Sequence, residues 1–249
     1  MKHNWFSRRV AGPWIFRRMG RAFFSVDAWG FDHLRRALAQ GPVLLLPNHS
    51  NWWDGFVDLL LERCLGADLR VMMDAANLSA NPFLRWLGAF DAKLDSPRGA
   101  ALALRRASRL LAPTTPGARP RLLVLYPQGS LSSPRARPLA VKPGAEWLLR
   151  AAPHASAIPC ARAYEFLGED RPQVFLRFGA PLRHASTEAI RAALEGELDT
   201  LLADLDTRRA EGAERLLQGP LSLNKRWEQR ARRLTIGRRR PFAPFNPPV

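Results

Sequence analysis

The chain has 249 residues, with 38 Lys and Arg against 22 Asp and Glu, a formal net charge of +16. At 47% hydrophobic and 24% charged, the composition is that of a globular protein, which excludes wholesale disorder, and the length suits one large domain with a substantial core. Two cysteines, Cys64 and Cys160, exclude a disulfide framework and fit a reducing compartment. No apolar run nears the roughly 18 to 20 residues that span a bilayer, and no clean apolar run with a small-residue cleavage site marks a signal peptide.

The charge is concentrated at the two ends. Residues 1–26 hold Lys2, Arg8, Arg9, Arg17, Arg18 and Arg21 and no acid, a local +6, and residues 219–249 hold eight cations and one acid, Glu228, a local +7. Residues 27–218 carry only +3. The expected organisation is a basic amphipathic membrane-associating segment over 1–26, a near-neutral domain over 27–218 and a basic, disordered tail over 219–249.

After Gly12-Pro13, residues 13–24 read as a helix with Ile15, Phe16, Met19, Ala22 and Phe23 on one side and Arg17, Arg18 and Arg21 on the other. With Trp5, Phe6 and Trp14 nearby, this is the pattern of an interfacial membrane anchor; a helix packed on its own domain gives the same pattern. Residues 43–47 read as a buried strand and 54–65 as a helix with Phe56, Leu59, Leu60 and Cys64 for its inner face. A strand over 69–73, a short helix over 82–87, a strand over 90–94 and a helix over 100–111 follow. The turn-rich stretch 113–120 is a loop, and 121–126 is the clearest buried strand. Next come a helix over 144–151, strands over 157–164 and 174–178, and a helix after Ser186 with Ile190, Leu194, Leu198, Leu201, Leu202 and Leu205 as its core face. In the tail, Arg226, Arg230, Arg232, Arg233, Arg238, Arg239 and Arg240 mix with Trp227, Phe242 and Phe245, and Pro241, Pro244, Pro247 and Pro248 predict disorder. The alternation of strand and helix predicts an α/β fold, a single domain with a mixed, mostly parallel central sheet flanked by helices, plus the N-terminal amphipathic helix. Anionic headgroups attract each nearby basic residue by about 1 kcal/mol, so two basic, aromatic ends predict an anionic membrane surface as partner.

The first strand runs into Asn48-His49-Ser50-Asn51-Trp52-Trp53-Asp54-Gly55. A histidine at a strand end, followed after four residues by an aspartate at a helix start, can fold back so that the carboxylate accepts from one imidazole nitrogen and the other nitrogen becomes a better base. No G-x-S-x-G nucleophile elbow accompanies it, so the base would act directly on a substrate hydroxyl. His3, His33, His154 and His184 have no ligand-spaced neighbours, which predicts no metal site. Glu165, at the end of a strand, is a solvated acid or a distant acceptor contact.

The string from His49 to Asp54, between a strand and a helix, resembles the first motif, H-x4-D, of the glycerolipid acyltransferase family that includes bacterial lysophosphatidic acid acyltransferases. Later pieces follow that family's order: Tyr126-Pro127-Gln128-Gly129-Ser130 resembles its F-P-E-G-T motif, Val141-Lys142-Pro143-Gly144 the lysine and glycine before its next helix, and Ala157-Ile158-Pro159 its apolar-Pro motif. The likeness covers roughly residues 40–185 and rests on the combined order and spacing. It implies an O-acyltransferase that moves a fatty acyl group from acyl-CoA or acyl-carrier protein to a hydroxyl of a lysophospholipid or glycerol phosphate acceptor. The protein would be peripheral at the cytoplasmic face of the cell membrane, with no cofactor beyond the thioester donor. His49 would be the general base and Asp54 its orienting partner. Gly129 and its backbone would hold the acceptor or the developing oxyanion. Asn51, Trp52, Gln128, Ser130, Lys93 and Arg98 would be the other substrate contacts, with Trp52 and Trp53 as walls.

Gln128 stands where the family has Glu, Ser130 where it has Thr, Leu131 where an Arg often follows, and Leu94 where a further Arg is expected, with Lys93 adjacent and Arg98 four residues on. Two missing arginines would remove bidentate phosphate contacts. Either the acceptor is a neutral glycolipid or lipid alcohol, with Gln128 on a sugar hydroxyl, or Arg98, Arg135 or Arg137 supplies the charge. Two other classes remain: a nucleic-acid-binding protein, suggested by a pI near 11.4 but lacking any binding motif, and a non-catalytic lipid-binding protein. The sequence does not set the oligomeric state.

Overall fold

Runs such as Val43-Leu44-Leu45-Leu46 are apolar at every position, so a strand built from them must be covered on both faces. The computed structural model, which describes residues 5–93, 95–115, 117–207 and 211–235, covers them so. In chain order the elements are α1 (Trp5–Ala22), β1 (Ser25–Trp29), α2 (Phe31–Gln40), β2 (Val43–Pro47), α3 (Asp54–Leu65), β3 (Asp68–Asp74), α4 (Ala75–Ala80) and a 3-10 helix (Pro82–Leu87). Then come β4 (Ala89–Ala92), α5 (Pro97–Leu110), β5 (Arg121–Val124), α6 (Gly144–Ala151), β6 (Ser156–Glu165), β7 (Gln173–Phe178), α7 (Thr187–Asp206), β8 (Glu214–Gln218) and α8 (Leu223–Thr235).

The strands form one sheet in the order β4-β3-β5-β2-β6-β7-β1-β8. Its pairings are parallel except β6 with β7 and β1 with β8, so the fold is a single α/β domain with a mixed, mostly parallel sheet flanked by helices. Strand alternation divides the core. Val43, Leu45, Leu122 and Val124 pack with Leu34 of α2 and Val57 and Leu61 of α3. Leu44, Leu46, Leu123 and Leu125 pack on the other face with Ala107 of α5 and Leu148 of α6. The face of α7 predicted from its leucines is buried over β6 and β7.

Several boundaries differ from the sequence reading. Helix α1 does not start at Pro13 but runs through it; Pro13 removes one ladder donor, and its side chain is exposed. Ile15, Met19 and Phe23 are buried in the main core, so the apolar side read as a membrane anchor is already occupied by the protein itself. Within the described residues, 5–26 are not set apart from the domain, since Ile15 and Met19 lie in its core and β1 begins at Ser25 inside the sheet. The tail is not wholly irregular either: Leu223–Thr235 is helical, while residues 236–249, with Arg238 to Arg240, Phe242 and Phe245, lie outside the described residues, as does Leu94. Strands β1 and β8 and helices α2, α4 and α8 were not foreseen. Among the described residues no helix is long and apolar enough to cross a membrane.

Candidate functional site

A parallel sheet offers its ligand site beyond the carboxyl ends of its strands. His49 follows β2 there, the turn from Tyr126 to Gly129 follows β5, and Arg162 and Tyr164 lie toward the carboxyl end of β6.

His49 Nδ1 lies 2.9 Å from Asp54 Oδ2. The same oxygen accepts from the backbone N–H of Ser50 at 2.9 Å and of Asn51 at 3.0 Å, and Tyr164 Oη donates to Asp54 Oδ1 at 2.6 Å. Burial pushes the Asp54 carboxyl up, but the bond from His49, the charge of Arg162, Tyr164 and the Asn51 N–H outweigh it and hold it below the usual carboxylate range. An ionised carboxylate only accepts, so Nδ1 carries a proton, and in the neutral imidazole Nε2 is then the nitrogen with the lone pair. Nε2 makes no hydrogen bond among the described residues, and the ring, 28% exposed, stacks on Tyr126 with centroids 4.2 Å apart. This is the geometry of a general base awaiting a hydroxyl.

Behind the pair lies a second charge cluster that the sequence reading missed. Arg162 is fully buried, is ion-paired with the buried Asp58, and donates to the backbone oxygen of Asp54 at 3.1 Å. Tyr126 Oη donates to Asp58 Oδ2 at 2.6 Å. Burial works against the guanidinium, but Asp58 first and then Tyr126 raise it well above its ordinary value, so it stays charged. Asn48 is bonded in both directions to the Arg162 backbone, accepting at 2.7 Å and donating at 3.1 Å. The signal was present: Asp54 and Asp58 sit four apart on the apolar face of α3, and buried acids on a core face call for a buried cation.

The predicted contacts fare unevenly. Gln128 is buried, with Oε1 accepting from the His49 N–H at 2.8 Å and Nε2 donating to Ser132 Oγ; it braces the loop and is not free for a sugar hydroxyl. Asn51 Oδ1 accepts from Trp53 N at 3.0 Å, so it shapes the turn before α3. The N–H of Gly129 donates to Tyr126 O at 3.1 Å, which withdraws it as an oxyanion donor. The next two N–H groups, of Ser130 and Leu131, are unbonded among the described residues, while Ser132 N donates to His49 O at 2.8 Å and holds this loop against the base. Gly129 itself is needed: its φ is +72° and a Cβ would lie 2.7 Å from Lys142 Nζ. That contact makes Lys142 the cation lying against the turn.

One cavity of about 380 Å³ opens beside these groups, within the usual range for ligand sites, and is lined by His49, Trp52, Tyr126, Gly129 and mostly apolar side chains of α3, β3 and the 3-10 helix, together with Asp74, Asn77 and Asn81. No Lys or Arg lines it. Lys93 and Arg98 are exposed beyond β4 and at the start of α5 and are not brought to it. Arg135 is paired with Glu165 at 3.3 Å and Arg137 with Asp199, so neither replaces the missing arginines. Trp52 is exposed at the rim and Trp53 packs edge-on against Phe23 at 5.1 Å. Among the described residues no three His, Cys, Asp or Glu side chains are grouped to hold a metal.

Neither a model of a known protein family nor a curated protein matches the chain. The resemblance to the H-x4-D acyltransferases therefore stands on the residues themselves.

Tyr164→Phe isolates one bond of the site. Burial and the neighbouring Asp54 push the phenol well above its usual range, so it is a fixed donor to Asp54. Losing a hydrogen bond to a buried charge costs about 2 kcal/mol. Because the folded Asp54 value is depressed, its stabilisation is present above about pH 4 and is lost as pH falls through the folded value. Urea unfolding across that range should show Tyr164→Phe less stable at neutral pH and less sensitive to acid than the native chain.

Proposed function

We propose that the chain is an O-acyltransferase that moves a fatty acyl group from acyl-CoA or acyl-carrier protein to a hydroxyl of a lipid acceptor at a membrane surface. The observation that carries this reading is the pairing of an unshared His49 Nε2, fixed by Asp54, with an apolar cavity beginning at the same residue. The base takes the proton of the acceptor hydroxyl, the oxygen attacks the thioester carbon, and as the C–S bond breaks the His49 imidazolium gives that proton to the departing sulfur, releasing the carrier thiol. The free N–H groups of Ser130 and Leu131 are the donors for the oxyanion in between, and the apolar cavity takes the acyl chain.

The cation lying against the Gly129 turn is Lys142, a single point charge where a phosphate clamp uses forked arginines, and this favours a neutral acceptor, a glycolipid or lipid alcohol, over glycerol phosphate. Incubation with acyl-CoA or acyl-carrier protein and a panel of lysophospholipid, glycerol phosphate, glycolipid and long-chain alcohol acceptors, read by mass spectrometry, tests both statements. Acylation of the neutral acceptors is expected. Acylation of glycerol phosphate or lysophosphatidic acid alone would remove the neutral-acceptor reading, and no transfer to any acceptor would remove the enzyme.

The cavity also yields a size prediction. Ala89, buried on β4, is part of its wall, and Ala89→Phe fills space there. The ratio of kcat/KM for long over short acyl donors should fall by about tenfold, the scale of methylene discrimination in an apolar pocket. An unchanged ratio would show that the chain lies elsewhere.

A further inference from the structure

The apolar side of α1 is spent in the core, so whatever holds this protein at a lipid surface must be sought on what remains exposed. Large apolar side chains usually expose little area, and several exposed together mark a contact surface. Three such side chains ring the cavity mouth: Trp52, Phe83 and Leu131, at 69%, 43% and 58% exposure, all part of the cavity lining. Trp86, at 58%, stands three residues after Phe83 on the 3-10 helix, where side chains at that spacing eclipse. That helix packs against α1, whose exposed face carries Trp14 at 68% together with Arg17, Arg18 and Arg21. The spacing of 14, 17, 18 and 21 puts all four on one side of the helix. No acid pairs with these three arginines among the described residues.

We infer that this aromatic rim, with the basic face of α1 beside it, is the surface that docks on an anionic lipid bilayer. The chemistry fits one occupant. Tryptophans with an apolar body and a polar N–H settle at the headgroup boundary, and unpaired arginines next to them meet anionic headgroups. The inference rests on the proposed function in one respect: with the rim seated in the headgroups, an acyl chain or lipid acceptor passes from bilayer to cavity without crossing water.

Sedimentation with vesicles of phosphatidylcholine and phosphatidylglycerol, without any acyl donor, tests the surface apart from the chemistry. Trp14→Ala with Trp86→Ala should weaken binding by about tenfold or more, since two exposed aromatics are removed from the interface. Arg17→Gln, Arg18→Gln and Arg21→Gln together should weaken it by on the order of a hundredfold at low salt, with the difference shrinking as salt rises. These side chains are exposed, so circular dichroism and thermal melting should match the native chain, and His49→Ala should bind vesicles like the native chain. Vesicle binding unchanged in both sets of variants would overturn the assignment. So would native chain that ignores vesicles, or a native dimer that the Trp variants make monomeric, which would give the surface to a second copy. Intact rim-dependent binding with no acyl transfer would instead sink the enzyme reading and leave the surface standing.

Discussion

His49→Ala should slow acyl transfer by about two to four orders of magnitude while leaving the protein folded. The imidazole is partly exposed and its one hydrogen bond among the described residues is to Asp54, so its removal opens little of the core. Asp54 keeps its donors from Ser50, Asn51 and Tyr164. A positioned general base is worth about 10² to 10⁴ in rate, and the loss should appear in kcat, with the apparent affinity for the donor little changed, because the acyl cavity is lined mainly by other side chains. Asp54→Asn is the less clean variant: an amide nitrogen at that position would face the N–H groups of Ser50 and Asn51, so lost stability and lost activity would be mixed. Undiminished transfer by purified, folded His49→Ala would end the general-base mechanism.

Arg162→Met should be among the most destabilising single substitutions in the chain. It leaves Asp58 fully buried beside Tyr126 with no cation, and removing one partner of a buried ion pair costs about 3 to 5 kcal/mol. It also frees the backbone oxygen of Asp54 that Arg162 holds. The double variant Arg162→Met with Asp58→Asn should recover a large part of the loss, because the asparagine oxygen still accepts from Tyr126 Oη and the charge at position 58 is gone, while Asp54 keeps its donors from Ser50, Asn51 and Tyr164. Urea unfolding of the two single variants and the double measures the coupling directly. A cost under about 1 kcal/mol for Arg162→Met, or a double variant no better than the single, would show that the pair does not hold this region together.

What could be read from the sequence followed the strength of local pattern. Strands such as 43–47 and the leucine face of α7 announce themselves because every position, or every third and fourth, is apolar, and the burial of Leu44, Leu45, Leu194 and Leu198 is what that pattern demands. Strand β1 was missed because its polar residues interrupt the apolar run: Ser25 and Asp27 are buried in the sheet, and Asp27 is satisfied by Arg215 at 2.7 Å, a partner far off in sequence. Helix α2 was legible in principle, with Phe31, Leu34, Ala37 and Leu38 buried between Gly30 and Gly41. At the site, the approach of Asp54 to His49 followed from a short loop and could be foreseen. The roles of Gln128 and Gly129 could not, because whether an amide or an N–H is free depends on bonds to His49, Ser132 and Tyr126 that only the folded turn sets.

The sheet connects segments that leave the ribosome at very different times. Strand β1 has β7 on one side and β8 on the other, so after the first residues of the domain are made, both of its edges wait for chain synthesised much later. Until then β1 is an unpaired strand, and unpaired edges invite association with other chains. The opposite half, β4-β3-β5-β2, is assembled from nearer segments and can pair before β7 exists. Folding should therefore run from the β2 side toward β1, at the slow pace typical of long-range pairing, and amides of β1 and β8 should gain protection from hydrogen exchange last.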